Sequence, residues 1–253
     1  SGGGQLLSSS SIMESLTFYV GIIGNLVSVL MFLAPVGTFW RIIRNRSTEE
    51  FESLPYVCTL LNSSLWVYYG TIKPGAYLVA TINGFGILVE TIYITLFLVY
   101  APSKIKARTA YLVGGVDVGF LGAAVLVTQL AMQGDARIDA VGFLAAILNI
   151  IMYGSPLAAM KTVVLSRSVE YMPFLLSFFM FLNGGIWTFY AILNSDIFVG
   201  VPNGTGFVLG VAQLVLYAIY RNAKPSSNVP DDEDEEGWQH QTLISSHDRS
   251  SST

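Results

Sequence analysis

The stretch NGFG at Asn83–Gly86 returns 120 residues later as NGTG at Asn203–Gly206. Both copies lie inside long apolar segments, and each follows a tryptophan, Trp66 or Trp187, at a similar distance. An asparagine at membrane depth costs about 2–3 kcal/mol or more when it has no hydrogen-bond partner. Two asparagines at matched positions of an internal repeat therefore indicate a two-sided polar site near the middle of a bilayer.

The composition is that of a membrane protein with several spans. Of the 253 residues, 53% are hydrophobic and 12% are charged, against about 25% charged in ordinary soluble domains. Between the charges lie apolar stretches of about 20 residues, the length that crosses a bilayer. We therefore expect an all-α membrane protein.

The charges and the single cysteine exclude several classes of function. Much of the net charge of -4 comes from one acidic run, Asp231–Glu236, so neither nucleic-acid binding nor an acidic substrate is indicated. Cys58 is the only cysteine, which excludes an intrachain disulfide and a multi-cysteine metal site. His240 and His247 lie in the polar C-terminal stretch. The sequence predicts no enzyme active site, no cofactor and no metal site.

Seven apolar segments are predicted to span the membrane. They run approximately from Leu16 to Arg44, Pro55 to Ile72, the end of the Lys73-Pro74-Gly75 turn to Tyr100, Ala110 to Ala131, Ala140 to Leu165, Tyr171 to Leu193, and Ile197 to Tyr220. Pro35 predicts a kink in the first span. Two further stretches, Lys104–Arg108 and Gly134–Arg137, are predicted as loops.

The segments form two repeats. Gly142 matches Gly21 and Pro156 matches Pro35 at an offset of 121, while Asn203 matches Asn83 at 120. We assign residues 13–103 and 134–224 to three-helix repeats and 104–133 to a linker helix. Because three spans reverse the chain, one extra span lets both repeats insert in parallel, as a 3+1+3 arrangement.

The chain ends are expected to lie outside this core. Residues 1–12 have no periodicity, and we interpret them as an added leader before a native start at Met13. Residues 225–253 are predicted to be a disordered acidic tail. Lys and Arg concentrate in the loops after spans one, three, five and seven, with only Lys73 and Arg137 on the other side. This bias predicts a cytosolic C-terminus and a non-cytosolic N-terminus.

Two acids, Glu90 and Asp117, lie well inside predicted spans and raise the question of proton coupling. Neither has a counterpart in the other repeat, since Gly210 takes the place of Glu90. We therefore favour structural hydrogen bonding and retain a proton-coupled carrier as the alternative.

Two other residue types have open interpretations. Trp66 and Trp187 fit either the aromatic belt of a membrane interface or a surface for stacking on a sugar ring. The prolines at Pro35, Pro55, Pro156 and Pro173 share one half of the membrane, which favours a hinge cluster over independent kinks.

Short motifs in both repeats are similar to those of the SWEET (MtN3/saliva) sugar uniporters of plants. The matching pieces are Gly24-Asn25, Leu33-Ala34-Pro35, Arg46-Ser47-Thr48-Glu49, Ser53-Leu54-Pro55-Tyr56, Leu65-Trp66, Asn83-Gly84, Ser155-Pro156-Leu157, Arg167-Ser168-Val169-Glu170 and Pro202-Asn203-Gly204. The likeness covers residues 19–102 and 139–225. Leu148–Gly154 and Tyr220–Pro225 resemble the vacuolar clade most, which favours the vacuolar membrane over the plasma membrane.

The resemblance implies a facilitative sugar transporter working by alternating access. It implies that Asn83 and Asn203 bind the sugar, that Trp66 and Trp187 cap it, and that the four prolines form a hinge. The implied pocket also includes Ser28, Met31, Asn62, Asn149, Met152 and Asn183.

Sucrose-transporting relatives tend to have smaller residues, often Ser, at the positions of Asn62, Asn149 and Asn183. A monosaccharide such as fructose or glucose is therefore expected. A seven-helix receptor is a weaker alternative, because the parallel repeats argue against it. A homo-oligomer is compatible with the sequence, which leaves the oligomeric state open.

Overall fold

The computed structural model describes residues 2–223, with side chains described from residue 11 onwards. Every regular element in this range is helical. The elements are α1 (Gly2–Phe32), α2 (Val36–Asn45), α3 (Leu54–Ile72), α4 (Tyr77–Tyr100), α5 (Ser103–Leu112), a π-helical segment (Val113–Phe120), α6 (Leu121–Ala131), α7 (Gly134–Met152), α8 (Gly154–Ser166), α9 (Phe174–Leu193) and α10 (Ile197–Tyr220). The acidic run, both histidines and the rest of the predicted tail lie outside the described residues.

Several predicted boundaries are wrong. The stretch Lys104–Arg108 is helical, because Lys and Arg are good helix formers and α5 begins directly after Pro102. Gly134–Arg137 opens α7, where Asp135 in the first turn complements the helix dipole. The sixth span begins at Phe174, since Pro173 before it is extended. Helix α1 begins at Gly2 rather than near Leu16.

The predicted kink at Pro35 is a complete break. Leu33, Ala34 and Pro35 form a turn between α1 and α2, in which Ala34 N–H bonds Met31 O at 3.1 Å. The same break separates α7 from α8 at Tyr153, three residues before Pro156. A proline removes one backbone donor and its ring crowds the carbonyl four residues earlier, so each break precedes its proline.

The six helical rods of the two repeats form a ring. Going round it, α1 packs on α4, α4 on α3, α3 on α7, α7 on α10, α10 on α9, and α9 closes on α1. Within each repeat the third rod thus lies between the first and the second. The α3–α7 and α1–α9 contacts join the repeats and are related by the repeat symmetry, as the 3+1+3 prediction requires.

The linker rod, which comprises α5, the π-helical segment and α6, lies outside the ring. It packs along α3 and also meets α4 and α7. By length and hydropathy, six helical stretches of the described chain can cross a bilayer. Helix α3 is not among them, because it carries Asn62, Ser63 and Ser64 and lies largely inside the bundle.

The two ends of the bundle differ in charge. One end carries α2, α8 and the Arg41, Arg44 and Lys104 side chains, and we name it the basic end. There Arg41 pairs with Glu49 at 2.5 Å, and the Asn45 amide donates to the same carboxylate at 2.6 Å. The Asn45 hydrogen bond, assisted by Arg41, lowers the pKa of Glu49. The other end carries Lys73 and Asp196, and we name it the Lys73 end.

Candidate functional site

A cavity of about 320 Å³ lies between the two repeats. Its described lining comes from α1, α3, α4, α7, α9 and α10, so both repeats contribute. The lining residues are Ser28, Met31, Phe32, Pro35, Pro55, Tyr56, Thr59, Asn62, Trp66, Val79, Ile82, Asn83, Glu90, Asn149, Asn183, Trp187, Val199 and Asn203.

Asn83 and Asn203 face this cavity with the same local hydrogen bond. Asn83 Nδ2 donates to Val79 O at 2.9 Å, and Asn203 Nδ2 donates to Val199 O at 2.8 Å. A bond to the carbonyl one turn earlier fixes each amide against its own helix. Each Asn keeps a side-chain oxygen and one further N–H for a molecule in the cavity.

The two helices that carry the asparagines, α4 and α10, each pack closely on an aromatic side chain at a matched glycine. A Cβ on Gly86 would come 2.5 Å from the Phe32 ring, and a Cβ on Gly206 would fall within the Tyr153 side chain. Glycine at both positions lets the aromatic side chain at the end of α1 or directly after α7 lie against the bare helix backbone. The glycine one turn after each Asn sets how closely α4 and α10 approach their neighbours.

Four polar side chains pair across the seams between the repeats. Ser28 Oγ donates to Asn183 Oδ1 at 2.6 Å, and Asn62 Nδ2 donates to Asn149 Oδ1 at 3.1 Å. Ser28 corresponds to Asn149 and Asn62 to Asn183 at the offset of 121, so the two bonds are symmetry-related. Trp187 Nε1 extends the first pair by donating to Ser28 Oγ at 2.9 Å.

Aromatic layers close the cavity towards the Lys73 end. Trp66 packs edge-on against Tyr69, and Trp187 packs edge-on against Tyr190. Both tyrosines are almost fully buried, at 0% and 1% exposure. The tryptophans therefore lie deep in the bundle, which contradicts the interface-belt interpretation.

An ion pair seals the same end. Lys73 Nζ lies 2.9 Å from Asp196 Oδ2, and the Tyr69 hydroxyl donates to Asp196 Oδ1 at 2.8 Å. The Asp196 side chain is 1% exposed and that of Lys73 is 23% exposed. Lys73 ends the second rod of one repeat and Asp196 caps the third rod of the other, so this pair ties the repeats together.

At the basic end the repeats separate. Among the described helices, α2 packs only on α4, and α8 packs only on α7 and α10. No helix of one repeat bridges to α2 or α8 of the other. The cavity is therefore open towards the basic end and closed towards the Lys73 end.

Most of the predicted site residues come together. Asn83, Asn203, Trp66, Trp187, Asn62, Asn183, Asn149, Ser28 and Met31 line the cavity, whereas Met152 does not. Of the prolines, Pro35 and Pro55 line it and Pro156 and Pro173 do not. The cavity extends further along the first repeat than along the second. Pro35 and Glu90 line it, whereas their counterparts Pro156 and Gly210 do not.

Sequence reasoning missed several apolar lining residues, including Val79 and Val199. Each lies one turn before a site asparagine, so the helical period could have found them. The two acids predicted inside the spans lie in different places: Glu90 lines the cavity, and Asp117 lies in the π-helical segment of the linker rod, outside the lining.

The wall chemistry fits a neutral, hydroxyl-rich molecule. Amide groups, hydroxyls and indole rings make up its polar part, and Glu90 is the one charged side chain among the described lining residues. A ring of parallel repeats around a two-fold polar cavity, closed at one end, defines a membrane carrier.

Comparison with known proteins gives the family. The family model for "Sugar efflux transporter for intercellular exchange" (MtN3) matches residues 18–105 and 139–225. The chain is 60% identical to the bidirectional sugar transporter SWEET17 of Arabidopsis thaliana over 84% of this chain and 89% of that protein. It is 56% identical to SWEET16 of the same plant over 89% and 96%. The chain belongs to the SWEET family.

A solved eukaryotic SWEET transporter has the same fold. The TM-score is 0.80 at 38% identity, with 83% of this chain and 99% of that chain covered. The resemblance drawn from the sequence motifs is confirmed, and so is the 3+1+3 arrangement.

The Lys73–Asp196 pair generates a prediction. Lys73→Met leaves the buried Asp196 charge without its cation, and breaking a buried pair costs about 3–5 kcal/mol. The closed Lys73 end should therefore open more often. In a Cys58→Ser background, a cysteine at the buried position Val141→Cys should react faster with a membrane-impermeant maleimide applied from that end.

Arg137→Met is the matched control. Arg137 lies near the same end but donates to carbonyls of the linker rod, including Thr128 O and Met132 O, so it joins no repeats. It should leave the labelling rate at the parental value. Equal labelling rates in Lys73→Met and the parent would show that the ion pair does not hold this end closed.

Proposed function

We propose that this chain is a bidirectional facilitative transporter that moves monosaccharides such as fructose or glucose across a membrane by alternating access. The observation that carries the proposal is the symmetric pair of asparagines in a cavity between two parallel repeats. The named SWEET relatives are bidirectional sugar transporters, and membership of this transporter family makes the chain a carrier rather than an enzyme.

The two asparagines are the central sugar contacts in this proposal. Their remaining amide groups accept and donate hydrogen bonds to sugar hydroxyls from opposite sides. Trp66 and Trp187 present indole rings to the C–H faces of the sugar ring. Affinity should be weak, on the order of millimolar or about 4 kcal/mol, because a tightly held sugar would leave slowly.

Alternating access requires two states within a few kcal/mol of each other. The structure has the conformation closed at the Lys73 end. Return to the other state needs the basic ends of the repeats to approach, and the breaks before Pro35 and Pro156 are suited to this bending. We propose that Pro55 and Pro173, at the starts of α3 and α9, complete the hinge.

The polar pairs across the seams support a small substrate. Ser28 already bonds Asn183 and Asn62 already bonds Asn149, so a second sugar ring would have to break these two hydrogen bonds. Such an exchange is unfavourable unless the newcomer replaces every lost bond. Met152 does not line the present cavity, so we propose no sugar contact for it.

The protein is a multi-pass integral membrane protein, and we propose the vacuolar membrane as its location. The motif likeness to the vacuolar clade and the identities of 56–60% to the two Arabidopsis relatives support this placement. The Lys and Arg bias supports a cytosolic location for the basic end and the C-terminus. The present conformation would then be open to the cytosol.

The asparagines give the first test. Asn83→Ala and Asn203→Ala each remove a sugar contact worth about 1–3 kcal/mol, so each should abolish most counterflow of labelled sugar in proteoliposomes. Asn194→Ala is the matched control, because Asn194 bonds Tyr190 O one turn earlier but lies outside the cavity lining. Parental counterflow in either cavity variant would contradict the central site.

Substrate size gives the second test. Asn149→Ser combined with Asn183→Ser shortens two side chains of the pocket wall and should admit sucrose while weakening selectivity for monosaccharides. The uptake of labelled sucrose and hexoses is compared in the same vesicles. Sucrose transport by the parental protein as fast as that of hexoses would refute the size argument.

Proton coupling is the competing function, and Glu90 is the residue that favours it, because its carboxyl lines the cavity. A facilitative carrier should show the same sugar exchange with and without an imposed pH gradient. Asp117→Asn should leave exchange intact, since Asp117 lies outside the cavity lining. If a proton gradient drives sugar accumulation against its concentration gradient, the protein is a proton-coupled carrier and the uniport proposal is wrong.

A further inference from the structure

Glu90 has no evident structural role. It is 3% exposed, and its Oε2 atom is buried without a hydrogen-bond partner. It follows Asn83 by seven residues on α4, which places it about 10 Å nearer the basic end. The cavity therefore has a carboxyl group in its open half, beyond the central asparagines.

A carboxylate buried in a membrane protein needs donors or a cation. The described cavity wall holds no Lys, Arg or His. Two hydroxyls on neighbouring turns are already used: Thr59 donates to Pro55 O at 2.8 Å, and Tyr93 donates to Phe32 O at 3.0 Å. The Glu90 carboxyl therefore lacks a hydrogen-bond partner that a hydroxyl-bearing molecule in the cavity could supply.

The second repeat cannot supply an equivalent group. Gly210 matches Glu90, and a Cβ at Gly210 would come 2.6 Å from the backbone N and Cα of Phe181. The close contact of α10 with α9 therefore excludes a side chain there. The carboxyl is a feature of one side of the cavity, unlike the symmetric asparagines.

We infer that Glu90 is a second sugar contact, whose carboxyl group forms a hydrogen bond with a sugar hydroxyl between the asparagine pair and the basic end. The inference rests on the proposed sugar transport and adds a one-sided subsite to it. Thr59, which faces the same part of the cavity, keeps its oxygen free to accept a second hydroxyl. The subsite exists while the basic end is open and is lost when that end closes.

This asymmetry has a kinetic consequence. A passive carrier performs no net transport between equal concentrations, so the ratio of maximal rate to KM is the same in both directions. A subsite present only in the basic-end-open state stabilises the bound sugar there. For transport that starts at the basic end, it therefore lowers KM and the maximal rate by the same factor. Removing the subsite should raise both together.

The decisive measurement is sugar binding in the basic-end-open state. In the full chain with Cys58→Ser, Lys73→Cys and Asp196→Cys are joined by a bifunctional thiol reagent to hold the Lys73 end closed. Binding of D-glucose, D-fructose and each monodeoxy-D-glucose is followed by tryptophan fluorescence, since Trp66 and Trp187 line the cavity. The variants are Glu90→Leu, Glu90→Gln, and Thr91→Ala as an exposed control on the same helix.

Glu90→Leu should weaken binding of the hexoses about tenfold, the loss expected for one strong hydrogen bond. Glu90→Gln keeps an acceptor and should lose less. One deoxy sugar lacks the hydroxyl that Glu90 binds, so its affinity for the parental protein should already be low. The Glu90→Leu substitution should lower that affinity little further. Thr91→Ala should bind every sugar as the parent does.

Parental affinity in Glu90→Leu, or equal losses for all deoxy sugars in that variant, would overturn the subsite. If Glu90→Leu fails to fold, Glu90→Ala with the deoxy series gives the same decision, because it also removes the hydrogen-bonding group. Asn83→Ala in the same background separates the two proposals. Binding lost there but kept in the Glu90 variants refutes only the subsite, whereas parental binding in Asn83→Ala refutes the central site itself.

Discussion

The structure depends on the need to satisfy two asparagine amides inside a bilayer. Each amide donates to the carbonyl one turn earlier, which leaves part of its hydrogen-bonding capacity directed at the cavity. Each bond lies within one helix, and α4 and α10 also pack on the first rods of their repeats. Gly86 and Gly206 permit this contact, and the aromatic ends of α1 and α7 set its geometry. The central site is therefore a product of backbone packing as much as of polar chemistry.

Symmetry in the bundle decreases away from that centre. The asparagines, the seam hydrogen bonds and the Trp–Tyr layers obey the repeat closely. The ion pair at the Lys73 end and the Glu90 carboxyl near the basic end have no counterparts, because the matched positions hold Asn194, Ala76 and Gly210. A symmetric centre suits a small ligand that must be released in either direction, and the two asymmetric features distinguish the two exits from one another.

The sequence predicted the centre well and the periphery poorly. The asparagine and tryptophan positions followed from the repeat offset, because residues at matched positions of the sequence occupy equivalent places in the two structural repeats. The helical state of Lys104–Arg108 was missed because charge marks the end of the hydrocarbon and not the end of a helix. The Lys73–Asp196 pair joins residues of different repeats, and no local pattern records such a contact. The π-helical segment Val113–Phe120 packs against α3, and its apolar sequence gave no sign of the π-helical geometry.

The position of the linker rod divides the bundle unequally. It packs along α3 and against α4, whereas its contact with the second repeat is limited to α7, its neighbour in the chain. Four rods on one side therefore face three on the other. In a bilayer the four-rod unit, which consists of the first repeat and the linker rod, presents the larger perimeter to lipid. Viscous drag therefore resists its rotation more than that of the three-rod unit. Relative motion between the units would then appear, to an observer fixed in the membrane, chiefly as tilting of the three-rod unit.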